Sequence, residues 1–419
     1  MSRATHTLSL LLCLAFCLYG QAGGSSSNWT ERGSALKAAG NIDGAIEAFQ
    51  KALQRDPGSA RLEDEIGFLL AAKGKPDDAL QHFRTATRLA PSFAPAYFHL
   101  GVALWASHDF AQSLSPLETA ANLMPSNGEY SYRLGSAYLE VGRDRDAVVR
   151  LQAAANALPD RWDVWNELGL ARQSTNDFEG AVQAFRRALA LAPNDLSVLN
   201  NLGIALVENR QGEEGLACFQ KVLKRDPANL SAAVNVGFAY LQTRAYSAAI
   251  RQFNDIISRN PELPIAHYDL GLALKQEDDL DKARAELNRA LELDPEFAAA
   301  HYTLGILFWQ QGDFDQTIVH LKRAISLSSE FKAAYLVLGT ALKQKGDLVA
   351  AVPVLQESIR QNPNDPGPYN TLAQILRQQG DLEGSKKLFA EGARAKASKD
   401  RESVELLQGK AMASAKTIQ

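Results

Sequence analysis

The sequence predicts an all-α solenoid of antiparallel helix pairs, because three columns of residues repeat in one 34-residue register. Gly33, Gly67, Gly101, Gly135, Gly169, Gly203, Gly237, Gly271, Gly305 and Gly339 form the first column, and Ala373 takes the eleventh place. Twelve residues further on stand Ala45, Ala79, Ser113, Ala147, Ala181, Gly215, Ala249, Ala283, Thr317, Ala351 and Ser385, all small. Pro57, Pro91, Pro125, Pro159, Pro193, Pro227, Pro261, Pro295 and Pro363 close the unit, with Ser329 in the internal gap. Glycine is 29 of 419 residues, so ten in register do not arise from composition.

Each element of the unit has its own physical reason. In Trp165-x-x-Leu168-Gly169 and Ala181-x-x-x-Phe185-x-x-Ala188, apolar side chains three and four apart share one helical face. Each unit is therefore two helices. Gly40, Gly74, Gly142, Gly312, Gly346 and Gly380 can take the left-handed conformation that ends the first helix. Asn41, Asp109, Asp177, Asp279, Asp313, Asp347 and Asp381 follow as N-caps of the second. Glycine in the first helix and a small residue in the second permit close backbone approach, and the closing proline cannot continue its helix. Pro116 and Pro353 fall early in second helices, where a proline is tolerated.

The ends differ from the repeats. Arg3, the apolar run Leu8 to Tyr19 and the small residues Gly20 and Ala22 read as a secretory signal peptide over 1–22. The run is shorter than the roughly 20 residues a membrane-spanning helix needs, so an uncleaved membrane anchor is the weaker alternative. Leu14-Ala15-Phe16-Cys17 departs from a lipobox at Phe16, where a small residue is expected. A leader covers 23–25, and the units run 26–59, 60–93, 94–127, 128–161, 162–195, 196–229, 230–263, 264–297, 298–331, 332–365 and 366–399. Val404, Leu406 and Leu407 suit a capping helix before a tail within 400–419, since the ends of a solenoid need a polar cover.

Trp165, Leu168, Gly169, Ala181, Phe185 and Pro193 resemble the pattern W-x-x-L-G-x-x-Y, A-x-x-x-F, P of the tetratricopeptide repeat, with Arg172 in place of the Tyr. The resemblance implies a right-handed superhelix whose first helices line a concave groove, and it implies protein binding.

Composition and motifs argue against most other chemistry. A net charge of -4 supplies no cationic surface for nucleic acid. Past residue 22 only Cys218 remains, so an internal disulfide or a cysteine zinc cluster is excluded, and no phosphate loop or hydrolase elbow occurs. No catalytic, metal or cofactor residue is assigned. His267 and His301 share the column of Trp29, Tyr97, Trp165, Tyr335 and Tyr369, a packing column rather than a ligand set. The sequons at Asn28 and Asn229 carry little weight. The lysine and asparagine pattern of modules that grip a chaperone's C-terminal carboxylate is absent. Asn201 and Asn235 resemble two rungs of the asparagine ladder of O-linked N-acetylglucosamine transferases, and two are not a ladder.

The partner-binding candidates lie at the groove positions that the resemblance implies. Gln242, Gln276, Gln310, Gln344 and Gln378 occupy one place in five successive units, where amides can pair with the backbone of an extended peptide. Beside them run Lys275, Trp309, Lys343 and Arg377, which with Tyr268 and Tyr302 make a mildly cationic, aromatic stretch. The expectation is an exported, non-catalytic scaffold, periplasmic or secreted, receiving a peptide or helix of a partner protein. The competing readings are a substrate-binding or adaptor subunit of a separately encoded glycosyltransferase-like enzyme and a structural assembly factor of the cell envelope.

Overall fold

The computed structural model describes residues 25–329 and 331–416. The signal-peptide expectation for 1–22 therefore lies outside the described residues. Among them there are 22 α-helices and no strand. The first helices of the pairs are Ser26–Ala38, Ala60–Ala72, Ala94–Ala106, Gly128–Glu140, Trp162–Ser174, Leu196–Glu208, Leu230–Gln242, Pro264–Gln276, Ala298–Gln311, Lys332–Gln344 and Pro366–Gln378. The second helices are Ile42–Arg55, Pro76–Leu89, Phe110–Leu123, Asp144–Ala157, Phe178–Leu191, Gly212–Arg225, Tyr246–Arg259, Leu280–Leu293, Phe314–Leu327, Leu348–Gln361 and Leu382–Lys416. The last helix runs on without a break, so 400–416 continues the second helix of its pair rather than starting a new element.

The chain forms two compact bodies, one ending at Cys218 and one beginning at Phe219. From Ser26–Ala38 to Leu196–Glu208, and again from Leu230–Gln242 to Leu382–Lys416, each helix packs on the one before and the one after it, the consecutive stacking of an α-solenoid. First helices of successive pairs also touch one another, as Ala60–Ala72 does Ala94–Ala106 and Lys332–Gln344 does Pro366–Gln378. In each body these first helices form one layer and the second helices another.

The glycine column makes room for a specific side chain. A Cβ at Gly169 would lie 2.6 Å from the ring of Phe185, and one at Gly237 would lie 2.4 Å from that of Phe253. At Gly135 and Gly339 the opposing side chains are Leu151 and Leu355. In each case the partner stands sixteen residues on, in the second helix, and is fully buried. The eleventh pair shows the converse. Ala373 replaces the glycine, and the side chain sixteen residues on, Phe389, is 39% exposed. The small column is buried too, and its hydroxyls bond within their own helices: Ser113 Oγ donates to the Phe110 carbonyl and Thr317 Oγ to that of Asp313, both at 2.7 Å.

All seven expected caps act as caps, from Asn41 accepting from the Gly44 amide at 3.0 Å to Asp381 accepting from Gly384 at 2.8 Å. The turns are more uniform than the glycines suggest. Gly40, Gly74, Gly142, Gly312, Gly346 and Gly380 all have positive φ, and so do His108, Asn176, Arg210, Arg244 and Asp278 in the same register. The turn geometry is thus imposed by the pair, even where a side chain opposes it at about 1 kcal/mol. Arg244→Gly should stabilise the fold by about 0.5–1 kcal/mol, read as a higher urea midpoint. A lower midpoint would show that the arginine makes a compensating contact.

Both internal prolines sit within unbroken helices, Pro116 in Phe110–Leu123 and Pro353 in Leu348–Gln361. Arg172, standing where the repeat pattern has Tyr, donates to the Gly180 carbonyl at 2.9 Å and to Gln152 Oε1 at 2.6 Å.

Candidate functional site

The column of Trp165, His267, His301 and Tyr369 is structural, and its shared chemistry is specific. Trp165 Nε1 donates to the Pro159 carbonyl at 2.9 Å, and Tyr369 OH to that of Pro363 at 3.2 Å. His267 Nε2 bonds the Pro261 carbonyl at 3.0 Å, and His301 Nε2 that of Pro295 at 3.2 Å. Each ring places a polar atom on the carbonyl of the proline six residues earlier, tying the first helix to the turn before it. Nδ1 of His267 is also used, bonded to Glu286 at 2.7 Å.

In the N-terminal body the layer of first helices is laced by bonds between successive pairs. His99 bonds Asp64 at 2.8 Å, Tyr132 OH donates to Glu167 at 2.8 Å, Asn201 to Asn166 at 3.1 Å, and Gln173 to Glu208 at 2.6 Å. Ser136 Oγ is a second donor to Glu167. Burial raises the carboxyl groups of Glu167 and Glu208 above their ordinary range, and these donors only partly offset it. Asn201, one of the two asparagines whose likeness to a ladder was set aside, thus pairs with another asparagine inside the chain. Beside these bonds lies an open cavity of about 790 Å³, bounded by first helices of the third to sixth pairs and by Asp144 at the start of the fourth pair's second helix. Its wall includes Trp105, Leu139 and Leu170 together with Glu140, Glu167 and Glu208. The sequence reading did not single this region out.

The C-terminal body carries the expected candidates, and the structure sorts them. Gln242, Gln276, Gln310, Gln344 and Gln378 are all exposed at the ends of first helices. None of the five side chains makes a hydrogen bond among the described residues. Arg377 is exposed beside them. Lys343 Nζ donates to Gln374, and burial lowers the Lys275 ammonium below its ordinary range. The aromatics are more engaged. Tyr268 lies 4.9 Å from Phe297, Tyr302 stacks on Phe331 at 4.9 Å and 16°, and Trp309 lies 5.5 Å from Phe314. Tyr268 and Tyr302 also pack on the core, so their rings are shared between packing and surface. Next to Tyr268, the Asp269 carboxyl is pushed up to about 7 by burial. No hydrogen bond or ion pair to it occurs among the described residues.

The two bodies differ in charge along one register. At the place of the glutamine column the first to sixth pairs have Ala38, Ala72, Ala106, Glu140, Ser174 and Glu208, and at the place of Lys275, Lys343 and Arg377 they have Lys37, Ala71, Trp105, Leu139, Gln173 and Val207. Among the described residues no group of three or more metal-binding side chains occurs, and no helix is long and apolar enough to cross a membrane.

Comparison with known proteins agrees with this architecture. Residues 149–264 match the tetratricopeptide domain of cytochrome c-type biogenesis protein H. Further tetratricopeptide models match 36–100, 273–312, 302–366 and 342–410. The chain is a tetratricopeptide-repeat protein. No curated protein matches it in sequence. Among solved structures, a tetratricopeptide repeat protein from Parabacteroides merdae is 15% identical with a TM-score of 0.55, over 60% of this chain and 100% of that one. Yeast Tom70 is 16% identical with a TM-score of 0.46, over 94% and 96% of the two chains. YrrB, described as having an unusual peptide-binding site, is 21% identical with a TM-score of 0.43, over 45% and 97%.

Proposed function

We propose that the chain is an exported, non-catalytic scaffold that holds extended segments or helices of partner proteins on the inner face of its first helices. The glutamine column carries this reading. Five exposed amides at one place in five consecutive pairs have no use inside the chain, and each can both donate to and accept from a peptide backbone. Lys275, Lys343 and Arg377 beside them favour a partner segment with acidic residues in this body. A stacked array presents such a surface preformed, which confines the ordering cost mainly to side chains and the incoming segment. Export rests on the N-terminal pattern at 1–22, and the match to a cytochrome c-type biogenesis protein supports an envelope setting.

The test is affinity capture from the native envelope and secreted fractions, comparing the wild type with Gln276→Glu/Gln310→Glu/Gln344→Glu/Arg377→Glu. These side chains are exposed, so helicity should be kept while captured partners fall at least fivefold. An unchanged partner list in a still-helical variant would remove the column from function.

A further inference from the structure

The cavity in the N-terminal body differs in kind from the glutamine column. Trp105, Leu139 and Leu170 give it an apolar floor, supplied by first helices of three successive pairs. Around that floor stand Glu140, Asp144 and Glu208, none of which has an ion-pair partner among the described residues. Arg133, the one cation in the lining, is taken up by Glu129 at 3.0 Å and lies over the Tyr132 ring at 5.3 Å, and Arg143, next to Asp144, is paired with Glu118 and Asp146. Glu208 is half-buried and receives only the neutral Gln173 amide, which leaves its charge uncompensated. A second, independent observation marks the wall. Trp105 Nε1 has no acceptor among the described residues, and a backbone carbonyl of an incoming segment is the group that could satisfy it.

We infer that this cavity receives an arginine or lysine side chain, flanked by an apolar residue, from an extended segment of a partner protein. The aliphatic stem and the apolar neighbour cover Trp105, Leu139 and Leu170, while the cationic head reaches Glu140, Asp144 and Glu208. The raised carboxyl of Glu208 fits this occupant, because an incoming cation restores the charged form that burial disfavours. The inference rests on the scaffold reading above and adds a chemical class of ligand for one body.

The experiment uses the full chain and a dye-labelled twelve-residue peptide alternating leucine and arginine, with two controls in which citrulline or glutamate replaces arginine. Fluorescence anisotropy should show the arginine peptide binding at least tenfold more tightly than the citrulline peptide, and more weakly as salt rises. The variant Glu140→Gln/Asp144→Asn/Glu208→Gln keeps shape and removes charge, and it should lose at least tenfold in affinity with unchanged circular dichroism. Trp105→Phe should abolish most of the tryptophan emission change on binding. Equal affinity for the citrulline peptide, preference for the glutamate peptide, or an unaffected charge variant would each overturn the proposal. If the arginine peptide fails while native partners still depend on the glutamine column, the cavity assignment falls and the scaffold reading stands. Loss of both sinks the scaffold reading as well.

Discussion

Gly237→Ala will destabilise the seventh helix pair although alanine is the better helix former. The added methyl would stand 2.4 Å from Cε1 and Cζ of Phe253, whose ring is fully buried and has no room to retreat. Overpacking of this kind costs about 1–3 kcal/mol or more, against about 1 kcal/mol gained in helix propensity. Phe253→Ala removes the ring and should cost about 3–5 kcal/mol by leaving a cavity. The two substitutions meet in one space, so the double variant should cost less than their sum, since the new methyl occupies part of the vacated volume. Hydrogen exchange over residues 230–259 is the appropriate readout, because a repeat array opens locally as well as globally. Additive losses would mean that the ring and the glycine do not share that space. The eleventh pair already shows the natural form of this experiment, with Ala373 buried and Phe389 turned partly to solvent.

Asp269→Asn will stabilise the fold at neutral and alkaline pH and change little in acid. The carboxyl is held up at about 7 by burial, so the folded chain keeps a proton that the unfolded chain releases near pH 4. An acid with a raised folded pKa makes stability fall as pH climbs between those values, and the full penalty is present above the higher one. The difference in unfolding midpoint between wild type and Asp269→Asn should therefore be near zero at pH 4. It should grow through pH 7 and level off, reaching on the order of a few kcal/mol at most. A constant difference from pH 4 to pH 8 would show a carboxylate that is solvated and charged throughout. At pH 7 and above, this buried charge leaves a cost that a cationic group from a partner could offset.

The period, the helix pairing and the caps were legible in the sequence because each rests on local chemistry. Asn41 and the six aspartates cap by bonding amides three residues away, and Gly312 turns the chain by its own conformational freedom. The left-handed residues Arg210 and Arg244 were not legible, since only the geometry shared by all the pairs forces them there. The role of the glycine column was half legible. Its close approach follows from glycine itself, but that the approaching group is Phe185 or Leu151 depends on the crossing of two helices. The glutamine column was visible as a repeat of identity, and its side chains lie exposed at the ends of first helices. Trp105 and Leu139 share the register of Lys275 and Trp309 without sharing an identity, Leu170 stands three residues before that place in its own unit, and as apolar residues on first helices all three look like core. A comparison of one register between the two halves, Glu140 and Glu208 against Gln276 and Gln310, was the signal that could have found the cavity.

The central claim is that the layer of first helices, and not that of second helices, meets the partner. Photo-crosslinking in the native cell tests it most directly, with a photoreactive residue placed singly at Gln276, Gln310 and Glu140, and for comparison at the exposed Val149, Val319 and Val349 of second helices. Adducts of defined mass at the first three positions and none at the last three are the result expected. Adducts confined to Val149, Val319 or Val349 would contradict the account and place the binding surface on the second helices.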